Sequence, residues 1–160
     1  MIKILIATGG SEYSFMAVKK ACEMVSSPDN YEIRIVSVYE DLAASSAEPL
    51  GIDSEEIDKI QNIGRLQATD YALAAAEIIR RHFPKADIPI SMKALKGSPK
   101  AVILAEASAW NADVIVVGSL GHNFLSRMFI GSVSESIVKH AKCSVVVVRG
   151  NPADGAPEQN

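Results

Sequence analysis

The chain has 160 residues with a hydrophobic content of 48%, a charged content of 22% and a formal net charge of −3. These values describe one globular domain long enough to bury a core, and they give no overall electrostatic basis for holding nucleic acid or an anionic membrane. No stretch approaches the ~18 apolar residues of a membrane-spanning helix, and the opening MIKILIATGG is too short to form a signal-peptide core, so a cytoplasmic protein is expected.

Ile2–Thr8 has the composition of a central strand and ends at Gly9-Gly10-Ser11. Ser11 is the expected N-cap of a first helix, with Ser14 where a capping box would carry Glu. Phe15, Val18, Ala21, Cys22 and Val25 give that helix one apolar face. The cluster Ser26–Asn30 marks a turn, and Glu32–Tyr39 is the second expected strand. Glu40–Gly51 lacks periodicity; it is either a cover for a ligand or a plain connector.

Asp53 and Glu56 have capping-box spacing and open a long helix to about Phe83, closed by Pro84. Its expected apolar side carries Ile57, Ile60, Tyr71, Ala75, Ile78 and Ile79, and Gly64 is a candidate kink. Ile88–Leu95 is the third expected strand. Ser98 and Pro99 then start a helix to Trp110 as N-cap and first helical residue. Val114–Val117 is the fourth strand, Ser132–Ala141 the last helix and Ser144–Arg149 the fifth strand; 150–160 is expected to fray. Strands alternating with helices predict an α/β sandwich, three layers around a five-stranded parallel sheet with four helices. Cys22 and Cys143 are expected as two buried thiols in a reducing compartment.

The stretch after the fourth strand carries the chemistry. Gly118 and Gly121 break the chain, nine residues follow, and Gly131-Ser132 leads into the last helix. Glycines admit backbone N–H groups close to an anion, and a helix N-terminus adds unpaired donors and partial positive charge. The spacing is neither the G-x-x-x-x-G-K-[ST] loop nor the G-x-G-x-x-G fingerprint. Ser132-x-x-Glu135 has capping-box spacing as well, so the Ser132 hydroxyl could serve its own helix or a phosphate. Arg127, the cation of the nine-residue loop, could pair with phosphate or stand in solvent. His82 and His140 fall near helix C-termini. No nucleophile–base pair or metal-ligand spacing is seen, which speaks against a fast ATPase.

The motif resembles the G-x2-G-x9-G-[S/T] signature of the ATP-binding branch of the universal stress protein family. The resemblance extends over nearly the whole chain, through Gly10-Ser11, Gly97-Ser98-Pro99, Ala112–Gly118 and Cys143–Arg149. It implies a Rossmann-like sheet in the order 3-2-1-4-5 over residues 1–149, with a ligand crevice between strands one and four, where Thr8-Gly9-Gly10 and Gly118 meet. It further implies ATP, with or without magnesium, as ligand. Ala7 and Val38 would lie at the adenine. Gly118, Ser119, Gly121, His122 and Asn123 would wrap ribose and phosphates, and Ser132, Val133 and Ser134 would donate to the phosphates beyond Gly131. The family's first strand usually ends in Asp-Gly-Ser; Gly9 stands in place of that aspartate. The resemblance implies a homodimer joined through strand 144–149, acting as a stress-linked regulator with at most slow hydrolysis. The alternatives are a nucleotide-free member working through protein contacts and a nucleotidyl transferase or hydrolase using the same crevice.

Overall fold

The computed structural model describes residues 1–41, 53–119 and 130–149. Gly121, His122, Asn123 and Arg127, most of the expected loop at 40–51 and the expected tail at 150–160 lie outside the described residues. The strands are β1 (Ile2–Ala7), β2 (Tyr31–Tyr39), β3 (Ile90–Lys96), β4 (Val114–Gly118) and β5 (Ser144–Val148). The helices are α1 (Glu12–Met24), α2 (Ser54–His82), α3 (Pro99–Trp110) and α4 (Ser132–His140), with a 3-10 turn at Pro28–Asn30. All strand pairs are parallel, and the order is β3-β2-β1-β4-β5, as expected.

The period of two along each strand divides the core into two layers. Ile4 and Ile6 of β1 face α1 and α2, where they join Ile35, Val116, Val18, Ala75 and Ile79. Leu5 and Ala7 face the other way, toward Ile103 and Ala107 of α3, Ile137 of α4, and Val36, Ile115 and Val117. From Ile4 to Ala7, β1 is therefore apolar and buried on both faces of its pleat. Each fully buried Leu or Ile contributes roughly 1.5–3 kcal/mol. β1 also pairs on both edges, with Ile6 level with Ile35 on one side and Val116 on the other. The connections to β2 and to β4 leave β1 in opposite directions, so a crevice opens at the carboxyl ends of β1 and β4.

Several boundaries differ from expectation for local reasons. β3 begins at Ile90 because Pro89 has no N–H to give to a ladder; the Pro89 carbonyl instead accepts from the Ile33 N–H at 2.9 Å. α2 runs unbroken through Gly64. A Cβ there would stand 3.3 Å from the Tyr39 Cβ, so the glycine marks close packing of helix on strand rather than a kink. Ile60, expected on the apolar side of α2, is exposed, and the buried side is instead mostly alanine: Ala68, Ala72, Ala75 and Ala76. α3 ends at Asn111 in the left-handed region, with φ 56°. Ser98 holds the cap position of α3 without a side-chain hydrogen bond.

Trp110 is buried, and the Arg34 guanidinium lies 4.4 Å from its ring centroid. Arg34 and Lys93 both pair with Glu106 at 2.7 Å. Burial pushes the Glu106 carboxyl up, but hydrogen bonds from Lys93 and Arg34 outweigh it and hold the group below the usual glutamate value. This cluster fixes α3 across β2 and β3. Cys22 is buried and Cys143 half-buried, and both are free thiols.

Candidate functional site

A crevice of about 470 Å³ lies at the carboxyl ends of β1, β2 and β4. Each wall comes from a strand end or a helix start. β1 and the turn after it supply Ala7, Thr8 and Gly9; β2 supplies Val38; β4 supplies Gly118 with Ser119 beyond it; and Gly131, Ser132, Val133 and Ser134 form the start of α4. Every described residue of the predicted set thus falls in one place. Glu40, the first residue of the stretch read as a ligand cover or a connector, also lines it, as do Ser11 and Ser14 of the first turn of α1 and Pro99 and Ile103 of α3, for which the sequence had suggested no such role.

The two sides of the crevice differ. Ala7, Val36, Val38, Pro99 and Ile103 make an apolar slot. The other side is a set of hydroxyls and backbone N–H groups. Ser11 caps α1, its Oγ accepting from the Ser14 N–H at 3.2 Å. The Ser14 hydroxyl donates to the Ser11 carbonyl at 2.7 Å and lies 3.1 Å from Thr8 Oγ1. These bonds hold the Thr8–Ser14 turn closed on itself. Gly10 takes φ 77°, and a Cβ there would clash with the Tyr71 ring, so this turn requires glycine.

The start of α4 departs from the expected capping box. Gly131, not Ser132, is the N-cap, and no side chain caps the helix. Ser132 is the first helical residue, and Glu135 pairs with Lys139 at 2.6 Å. The anticipated competition for the Ser132 hydroxyl does not arise. Ser134 is committed instead: its hydroxyl donates to the Gly131 carbonyl at 2.9 Å and lies 3.2 Å from the Ser119 carbonyl. The Gly131 N–H closes the same junction by donating to Ser119 at 2.7 Å. The first N–H groups of the helix have no acceptor within it and stand at the positive end of its dipole. An apolar slot beside such a helix start suits a ligand with a flat apolar part and an anionic tail.

Gly118 has a separate structural reason. A Cβ there would come within 2.7 Å of the Tyr13 carbonyl oxygen and 3.0 Å of the Ser14 N. The end of β4 is thus pressed against the start of α1, which brings Ser119 beside the Thr8 turn. Gly9, where the related motif carries aspartate, has nothing among the described residues within 4 Å of its Cβ position. Among the described residues no three His, Cys, Asp or Glu side chains form a metal-binding group.

An all-parallel open sheet with an apolar and hydroxyl-lined crevice at its switch point defines a Rossmann-like α/β protein. Comparison with known proteins narrows the class. The profile of the Universal stress protein family matches residues 1–149. A universal stress protein of Staphylococcus haemolyticus (strain JCSC1435) is 33% identical over 97% of this chain and 90% of its own, and one from Staphylococcus aureus (strain USA300) is 34% identical over 97% and 89%. The chain belongs to the universal stress protein family. Among solved structures, the universal stress protein UspA from Lactobacillus plantarum shares the fold with a TM-score of 0.74 at 22% identity, covering 92% of this chain and 97% of its own. A universal stress protein in complex with cAMP gives 0.63 at 19% over 92% and 96%, and an Arabidopsis thaliana family protein with AMP bound gives 0.59 at 18% over 99% and 97%.

Proposed function

We propose that this chain is a cytoplasmic adenine-nucleotide-binding module that takes ATP in the β1/β4 crevice and acts as a homodimeric stress regulator. The observation that carries the reading is the meeting of the Gly118-Ser119 strand end with the uncapped start of α4 beside an apolar slot. In this reading the base occupies the slot at Ala7 and Val38. The N–H groups of Ser132, Val133 and Ser134 receive the phosphates, and Ser132 contributes its hydroxyl. Gly121, His122, Asn123 and Arg127 are assigned to ribose and phosphates by the motif alone. Two family structures hold cAMP and AMP, which supports an adenine ligand here. Glu40 is the carboxylate among the described lining residues, so a magnesium ion would ride mainly on phosphate and water oxygens. With no base placed for a hydrolytic water among the described residues, turnover is expected to be slow or absent.

The dimer reading rests on a contrast between the two sheet edges. β3 carries Lys93 and Lys96, charges of the kind that discourage edge pairing, whereas β5 offers Val145–Val148. A charge at Val146 is expected to give monomers, and a persistent dimer in sedimentation would place the interface elsewhere. For the ligand, mass spectrometry of the purified protein under denaturing conditions should release ATP or ADP. Gly131→Val should abolish that signal with helix content retained; retention of nucleotide by the variant would refute the phosphate assignment.

A further inference from the structure

The outward face of α2 carries large apolar side chains that no other described element covers. Ile63, Leu66 and Leu73 are 63%, 50% and 46% exposed. At 100° per residue they lie on the side opposite Ala68, which is buried at the middle of the helix's inner face. The charges on this outer side have an order of their own. Lys59 pairs with Glu55 at 3.0 Å near the start of the helix, and Arg81 pairs with Glu77 at 2.8 Å near its end.

These residues are arranged symmetrically about position 68. Ile63 and Leu73 are equidistant from it, as are Lys59 and Glu77, and Glu55 and Arg81. A second α2 laid antiparallel, with the two-fold axis over position 68, would therefore place Ile63 against Leu73 of its copy. Lys59 would meet the copied Glu77, and Glu55 the copied Arg81. Both ion-paired sets of charges would meet their opposites, and Ile63 and Leu73 would meet across the centre, as a self-complementary two-fold interface requires. The helix dipole accounts for acidic residues at the start and basic ones at the end. It does not account for three exposed apolar residues between them, nor for the matched spacing.

We infer that α2 is a second self-association surface, on which a second copy of this chain docks antiparallel through Ile63, Leu66 and Leu73, with Lys59 and Glu77 setting the register. The surface is separate from the β5 edge, so the two together would link chains into assemblies larger than a pair. Asp70 is the one discordant group. It is as far from position 68 as Leu66 is, so it would face the copied Leu66 near the axis, which keeps the contact weak and reversible.

The test is a charge exchange read by sedimentation velocity over a concentration series. Glu77→Lys alone should lower the self-association constant several-fold, because Lys59 then faces a lysine. Adding Lys59→Glu to the same chain should restore it. Within one helix the two positions are about 27 Å apart and cannot compensate each other. Failure of the double variant to recover, or no loss in Glu77→Lys, would overturn the inference. A second measurement is independent of the strength of association. In a Cys143→Ser background, an oxidised mixture of Ile63→Cys and Leu73→Cys chains should give the mixed covalent dimer. Ile63→Cys alone should not, since the two copies of position 63 would be about 15 Å apart along the axis. Equal yields from the mixture and the single variant, or none from either, would exclude this register.

Discussion

Gly118→Ala separates the structural from the ligand-binding role of the motif glycines. The added Cβ would stand 2.7 Å from the Tyr13 carbonyl oxygen and 2.8 Å from its carbon, where ordinary contact begins near 3.4 Å. Both neighbours are backbone atoms of α1, so no side chain can rotate away. The end of β4 and the start of α1 must separate by about 0.7 Å, the difference between those distances. That movement loosens the packing of Ala17, Val18, Ala21 and Cys22, all essentially inaccessible to solvent. Overpacking of this kind costs about 2–3 kcal/mol, which corresponds to a fall in Tm of about 5–10 °C for a domain of this size. Gly9→Ala is the control. It lies in the same crevice, but its Cβ position has nothing among the described residues within 4 Å, and its stability should stay within about 0.5 kcal/mol of the parent. Urea unfolding of the three proteins, with nucleotide removed, measures the difference. Equal midpoints for Gly118→Ala and the parent would refute the close-approach reasoning, and so would equal losses in both variants.

Three further outcomes are expected. Glu106→Gln should destabilise the fold by about 1–3 kcal/mol at neutral pH, since Arg34 and Lys93 lose their shared charged partner. The Glu106 carboxyl is held below its ordinary value of 4.5, so its contribution is complete above that pH and is lost as the pH falls through the lower folded value. The Tm curves of parent and variant should therefore converge in acid, and a gap that persists there would contradict the assignment. Ser37→Ala should leave stability unchanged or raise it by up to about 1 kcal/mol, because Ser37 Oγ is buried without a hydrogen-bond partner among the described residues; a comparable loss in calorimetry would contradict this. Burial pushes the Cys22 thiol up to about 11. Thiol reagents near neutral pH should label it only on unfolding, and rapid labelling of native Cys22 would show that α1 opens.

The order of elements was legible because period and punctuation are local. Pro84 and Gly97-Ser98-Pro99 each end or start an element through their own backbone chemistry. The place of the crevice followed from the strand order that the resemblance implied, and its glycines and helix start lie in one stretch. What the sequence left open depends on partners distant in the chain. Trp110 is buried because Arg34 and Lys3 arrive over its ring from other strands. Gly64 marks the approach of Tyr39, a contact no helical pattern encodes. Ser11 and Ser14 were visible as cap residues but not as crevice walls, because that requires β4 to press against α1 at Gly118. The cap at Ser132 was misplaced by one residue: S-x-x-E spacing fits a capping box, but Glu135 turns to Lys139 and leaves the helix start uncapped.

Isothermal titration of nucleotide-free protein with ATP, ADP and AMP, with and without magnesium, tests the central claim most directly. Micromolar binding of ATP that persists without magnesium, and that is lost in Gly131→Val, is the expected result. A folded protein that binds none of the three nucleotides would contradict it and would leave the crevice, with Gly9 at its edge, without the ligand assigned to it.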